Sequence, residues 1–173
     1  YKYDTYYSKN SVMSYALNRF LSEVSTTDSL LLKGVSVLEN WDMGNQKENT
    51  GAALALLTFK LTYNIKDFTY DYDSIFQRFE ESVSFLIDNY GNIDIPLGDL
   101  QVIKRGEVIL PLDGGPDILR AVYSQMIDNK RVARHGDCFF QMVDWDENGN
   151  VTAESIHQYG SATLDKDSPH YVD

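Results

Sequence analysis

The sequence predicts an α+β fold, a helical N-terminal half followed by antiparallel strands. Two observations carry this. Before Gly91, the stretches 10–24, 31–41 and 73–90 carry apolar residues at three- and four-residue steps, the repeat of one helix face. Beyond Gly91 that repeat is lost, the apolar runs shorten, and Gly, Pro, Asn and Asp punctuate them. We expect one structural unit, with residues 1–90 helical and 91–173 an antiparallel β segment.

Composition bounds the function. A chain of 173 residues is the length of one domain and can bury a core. Its 43% hydrophobic content, with 12 Tyr, 8 Phe and 2 Trp, excludes a disordered chain. Four Pro and 11 Gly exclude collagen-like sequence. One Cys excludes an internal disulfide framework and a multi-Cys zinc site. A net charge of −11 argues against a general nucleic-acid binder, and no apolar run reaches the roughly 18 residues of a membrane span. The opening Tyr1-Lys2-Tyr3-Asp4 has no charged or apolar leader pattern, so no signal peptide is expected. That start and the close at Tyr171-Val172-Asp173 suggest a piece of a longer polypeptide.

Taken in order, residues 1–9 read as irregular. From Asn10 to Val24, Val12, Ala16, Phe20 and Val24 share a helix face flanked by Met13, Leu17 and Leu21. Thr26, Thr27 and Asp28 offer N-cap oxygens to a second helix through Leu31, Val35, Leu38 and Trp41, with Gly44 as its stop. Asn45 to Asn49 reads as a polar linker. Ala52 to Phe59 is apolar all round, the pattern of a buried helix rather than a membrane-active one. Asp73 would cap a helix to Tyr90 with a stripe of Phe76, Phe79, Val83, Leu86 or Ile87, and Tyr90, stopped by Gly91.

Asn92 to Asp99 reads as a loop. Val102-Ile103 and Glu107 to Leu110 read as strands about Arg105-Gly106, and Leu112 to Asp117 as turn chemistry. Leu119 to Met126 is closer to strand than helix. Cys138 to Trp145 is a strand apolar on both sides, which predicts burial between two layers. Asp146-Glu147-Asn148-Gly149 is a hairpin turn into a partner strand from Val151 to Tyr159.

No set of residues forms a self-contained catalytic site. Asp144, Asp146, Asn148 and Gly149 match the front of a calcium loop, but its twelfth position holds Ser155 in place of Glu, with Glu154 one short. His135, Asp137 and Cys138 suggest a thiol nucleophile. In an extended strand His135 and Cys138 would point apart, and Cys138 reads as a small hydrophobe. His135, His157 and His170 match no local metal motif. Asp71 with Asp73, and Glu80 with Glu81, read as a helix start and a solvated face. Gly98, Gly106, Gly114 and Gly115 form no phosphate loop, and there is no G-x-S-x-G elbow.

An ordered series of motifs is more specific. It runs Tyr90-Gly91-Asn92-Ile93-Asp94-Ile95-Pro96-Leu97-Gly98-Asp99, then Leu110-Pro111-Leu112-Asp113-Gly114-Gly115-Pro116-Asp117. His135-Gly136-Asp137-Cys138, Trp145-Asp146-Glu147-Asn148-Gly149 and Gln158-Tyr159-Gly160-Ser161-Ala162 follow, and Asp167-Ser168-Pro169-His170-Tyr171-Val172-Asp173 closes it. The series resembles the C-terminal part of the β-chain of the penicillin acylase family, and within it the aculeacin and acyl-homoserine lactone acylases. The resemblance covers about residues 88–173; upstream it rests on Trp41-Asp42 and Gly51-Ala52.

The resemblance implies a fragment of an N-terminal nucleophile hydrolase, an αββα sandwich made as a self-cleaving precursor. The cut frees a Ser whose own α-amine is the base, and a backbone N–H with an Asn side chain stabilises the oxyanion. An α-amine with a reference pKa of about 7.7–8.0 suits that role near neutral pH. The activity implied is hydrolysis of the N-acyl bond of acyl-homoserine lactones, penicillins or lipopeptides, a role in antibiotic metabolism, without a cofactor. The implied location is periplasmic or secreted. The implied partners are the rest of the β-chain, the α-chain and a small N-acyl amide, with no nucleic acid. Here the first residue is Tyr1, so the nucleophile is expected upstream. None of Asn10, Ser11 and Asn18 sits in a matching motif, and no catalytic, substrate-binding or metal-binding residue is assigned within the chain. Ser168 to Tyr171 reads as structural. The alternative is a non-catalytic binding or interaction module built from the same segment.

Overall fold

The structure, a computed structural model, describes residues 4–60, 63–64, 69–136, 139–157 and 165–169. It is α+β. Helices α1 (Val12–Glu23), α2 (Ser29–Glu39) and α3 (Ala52–Thr58) precede a short ribbon of β1 (Tyr63–Asn64) and β2 (Thr69–Tyr70). Helix α4 (Ile75–Tyr90) and the single turn α5 (Leu97–Leu100) lead into β3 (Gln101–Arg105), β4 (Val108–Pro111), β5 (Val122–Ile127) and β6 (Lys130–Gly136). The last pair is β7 (Phe139–Trp145) and β8 (Val151–His157).

The helices begin and end where local chemistry dictates. Ser11 caps α1 by accepting from the Ser14 N–H, and Asp28 caps α2 by accepting from Leu30 and Leu31. Helix α4 stops at Gly91, whose φ of 73° is the left-handed conformation that glycine reaches without strain. Two expected boundaries are corrected. Helix α2 ends at Asn40, not Gly44, because the Asn40 backbone and side-chain amides both turn back to the Ser36 carbonyl. Trp41 then lies past the helix and donates its indole N–H to the Gly44 carbonyl. Asp73 does not cap α4. Ser74 holds that place, and Asp71 accepts from both the Ser74 N–H and its hydroxyl.

One core joins the helices to the segment after Gly91. Phe20 lies against Phe59, Phe76 and Phe79, with ring centroids 5.9, 5.4 and 4.9 Å away. Leu38, Leu54, Ile75, Leu86, Ile93, Leu97 and Leu100 are fully enclosed around them. Full burial of each such side chain favours folding by about 1.5–3 kcal/mol. The expected loop over 92–99 therefore contains a turn of helix, because Leu97 and Leu100 must both reach the core after Pro96.

The main sheet has the order β4-β3-β6-β5. Strands β3 and β4 pair antiparallel about Gly106, and so do β5 and β6, but β3 and β6 run parallel. The expected all-antiparallel meander is thus corrected to a mixed sheet. Its parallel step joins two hairpins through β6, a strand not anticipated from the sequence. Strands β7 and β8 form a separate antiparallel ribbon closed by the Asp146–Asn150 turn, with Gly149 at φ 79°.

The expected burial of 138–145 between two layers is overturned for the described part of that strand. Met142, Val143 and Trp145 are exposed, Trp145 at 69%. The register puts Trp145 opposite Val151 and Val143 opposite Ala153, so these four share one face. Met142 lies on the other face beside Asp144, Thr152 and Glu154. No described layer covers either side, so an apolar pattern that signals burial stands here on an open ribbon.

Candidate functional site

Three segments converge at one edge of the main sheet. The Asn45 N–H donates to the Thr5 carbonyl, the Tyr7 N–H to the Met43 carbonyl, and the Gly114 N–H to the Asn45 carbonyl. Asp113 accepts from the Lys47 N–H at 2.7 Å, and the Arg120 N–H donates to the Asp4 carbonyl. Gln101, wholly buried at the start of β3, donates to the carbonyls of Leu112 and Gly114 and accepts from the Ser124 hydroxyl. Residues 112–117 are therefore clamped between the start of the chain and the main sheet. Asn45, expected in a polar linker, is instead wholly buried at the centre of this junction.

Two glycines make the junction possible. Gly114 has φ 103°, and a Cβ there would lie 2.4 Å from the Arg120 carbonyl oxygen. A Cβ on Gly115 would lie 2.8 Å from the Asn45 amide nitrogen and 3.1 Å from the Tyr7 hydroxyl. The Asp-Gly-Gly-Pro stretch thus lets backbone pass against backbone and against buried polar side chains.

Beside this junction a cavity of about 820 Å³ opens between the start of α1, the end of α3 and strands β5 and β6. Val12, Met13, Leu56, Phe59, Val122 and Met126 supply its apolar wall. Tyr7 and Arg131 line it from buried positions, 6% and 8% exposed. Arg131 donates from Nη1 to the Leu56 carbonyl, one of the last carbonyls of α3. Its Nε has no hydrogen-bond partner, and among the described residues no carboxylate lies within ion-pair distance of it. Burial pulls its pKa below the ordinary guanidinium value, with Tyr7 acting the other way. The Tyr7 hydroxyl is also without a completed hydrogen bond, and burial raises its pKa well above the usual phenol range. At the mouth, exposed Asp117 accepts from the Tyr123 hydroxyl at 2.9 Å, and exposed Lys60 lines the cavity as well.

The candidates weighed from sequence do not gather here. Asp146 spends its carboxylate on the Asn148 and Asn150 N–H groups and the Asn150 side chain, all within a hairpin turn, and Asp144 lies on the adjoining strand. The Asn150 side chain first, then these backbone N–H groups, hold Asp146 below the ordinary carboxylate range. His135 is exposed on β6, opposite Tyr123, and His157 ends β8. Asp137, Cys138 and His170 lie outside the described residues, as do 158–162 and 171–173. Among the described residues no three His, Cys, Asp or Glu side chains gather to hold a metal ion.

Ser11 is occupied as the α1 cap, Asn18 reaches the Ser14 hydroxyl, and Asn10 lies at the cavity mouth. Asp73 reaches Arg19 at 3.9 Å, while Glu80 and Glu81 are solvent-facing. Ser168 and Pro169 lie in a turn, with the Ser168 N–H on the Asp165 carbonyl. No helix among the described residues is long and apolar enough to cross a membrane.

Arg131, Tyr7, Asn45 and Gln101 were not anticipated. In Lys130-Arg131-Val132-Ala133-Arg134 nothing local marks one of the cations as buried. Compared with protein-family models and with curated proteins, the chain matches none.

Proposed function

We propose that this chain is a scaffold segment of an amide hydrolase resembling the penicillin acylases, with its nucleophilic Ser in polypeptide upstream of Tyr1. The observation that carries the reading is the ordered series of motifs from Tyr90 to Asp173. Two structural features support it. Leu112 to Asp117 sits in a tight backbone junction, where the glycines are sterically required. Such residues suit a scaffold role better than a catalytic one. The β7–β8 ribbon also carries an uncovered apolar face, and a two-stranded ribbon in water is marginal until another layer packs on it.

In this reading the reaction is acyl transfer from an amide to Ser and then to water, releasing a carboxylic acid and an amine. The residues of this chain hold the sheet and helices that the reacting groups stand on. Intact-mass measurement and N-terminal sequencing of the longer polypeptide test the proposal. A processed β-chain that starts with Ser upstream of Tyr1 and runs through this segment is the expected result. An uncut polypeptide with no Ser-initiated chain would overturn it and favour the non-catalytic module.

A further inference from the structure

We propose that the cavity at Arg131 binds a small monocarboxylate with an apolar body. This goes beyond the acylase reading and does not rest on it. A guanidinium this far from solvent is costly unless an anion or several acceptors face it. Here it has one carbonyl acceptor, Leu56, and no carboxylate among the described residues. The Tyr7 hydroxyl, in the same wall and equally buried, stands beside the Asn45 side chain, and neither completes a hydrogen bond.

Two adjoining donors suit the two oxygens of a planar carboxylate, the group that Arg recognises best. One buried cation matches one negative charge. Exposed Asp117 and Lys60 also line the cavity and offset one another, so the charge left to match is that of Arg131, which suits a monoanion. Val12, Met13, Leu56, Phe59, Val122 and Met126 give the cavity an apolar wall beside its polar lining, and a volume of about 820 Å³ accommodates a chain of several carbons behind the carboxylate.

Calorimetric titration of the chain with octanoate, and with octanol as the uncharged control, tests the site. Octanoate should bind about ten- to a hundredfold more tightly than octanol, the range for hydrogen bonds to a charged group. Arg131→Met should bring octanoate down to the octanol level and leave octanol unchanged, and Arg131→Lys should restore part of the difference. Because Arg131 also holds the end of α3, a far-ultraviolet spectrum accompanies each variant.

Should Arg131→Met fail to fold, Met126→Trp narrows the cavity from a partly exposed strand position and should weaken both ligands together. Equal binding of octanoate and octanol, binding of neither, or octanoate binding unmoved by Met126→Trp would overturn the proposal. Amine release enters none of these readouts, so failure here is distinct from failure of the acylase reading.

Discussion

Gly114→Ala probes the junction that organises the fold. Gly114 adopts φ 103°, and a Cβ would lie 2.4 Å from the Arg120 carbonyl oxygen. Forcing a non-glycine residue into such backbone space costs about 1–3 kcal/mol. The contact cannot be relieved by turning a side chain, because the obstacle is backbone. The Arg120 carbonyl accepts from the Gly115 N–H, and the Arg120 N–H donates to Asp4. Moving Arg120 aside would weaken two hydrogen bonds worth about 1 kcal/mol each. The sum is about 3–5 kcal/mol, or roughly 6–20 °C in Tm for a domain of this size.

Gly91→Ala supplies the internal standard. Gly91 has φ 73°, and a Cβ there would have no neighbouring atom within 4 Å. Only the backbone conformation is then penalised, by about 1 kcal/mol. Urea unfolding followed by far-ultraviolet circular dichroism measures both variants against the parent sequence. A loss for Gly114→Ala no larger than that for Gly91→Ala would refute the steric argument.

Three further outcomes follow from the packing and the charges. Phe20→Ala removes a ring that meets three others and should cost about 3–5 kcal/mol in the same unfolding assay. Asp71 is held below its ordinary pKa of 3.8, first by the Ser74 hydroxyl and then by the Ser74 N–H and Arg78. A carboxyl depressed in the folded state contributes stability above its unfolded pKa and loses it as pH falls through the folded value. Asp71→Asn should therefore flatten the fall in stability below about pH 3.8, seen by thermal melts from pH 5 to pH 2. Trp145→Ser and Val151→Thr, on one exposed ribbon face, should change stability by less than about 0.5 kcal/mol while reducing self-association in sedimentation.

Helices α1 to α4 were legible because each declares its apolar face locally. Phe76, Phe79, Val83 and Leu86 mark the inward stripe of α4, and Asp28 and Gly91 mark ends that side-chain and backbone chemistry determine on the spot. Where two caps competed, sequence could not choose: Asp73 lies beside Ser74, and only the position of Asp71 decides between them. The β3–β4 hairpin and the Asp146–Asn150 turn were legible for the same local reason.

What escaped depends on contacts between distant residues. The parallel pairing of β3 with β6 joins Gln101 to Arg131, and no local pattern encodes it. The burial of Asn45 follows from Thr5 and Gly114 closing over it. Arg131 is buried where it meets the Leu56 carbonyl near the end of α3, 75 residues away in sequence. The ribbon failed in the opposite sense: its apolar residues predict a second layer that the described residues do not supply.

Amine release from phenylacetyl amides and long-chain N-acyl-homoserine lactones, followed side by side on this chain and on the longer polypeptide, tests the central claim most directly. The account predicts turnover by the longer polypeptide alone, since in this reading the nucleophilic Ser lies outside the chain. Turnover by the isolated chain, or none by either, would contradict it.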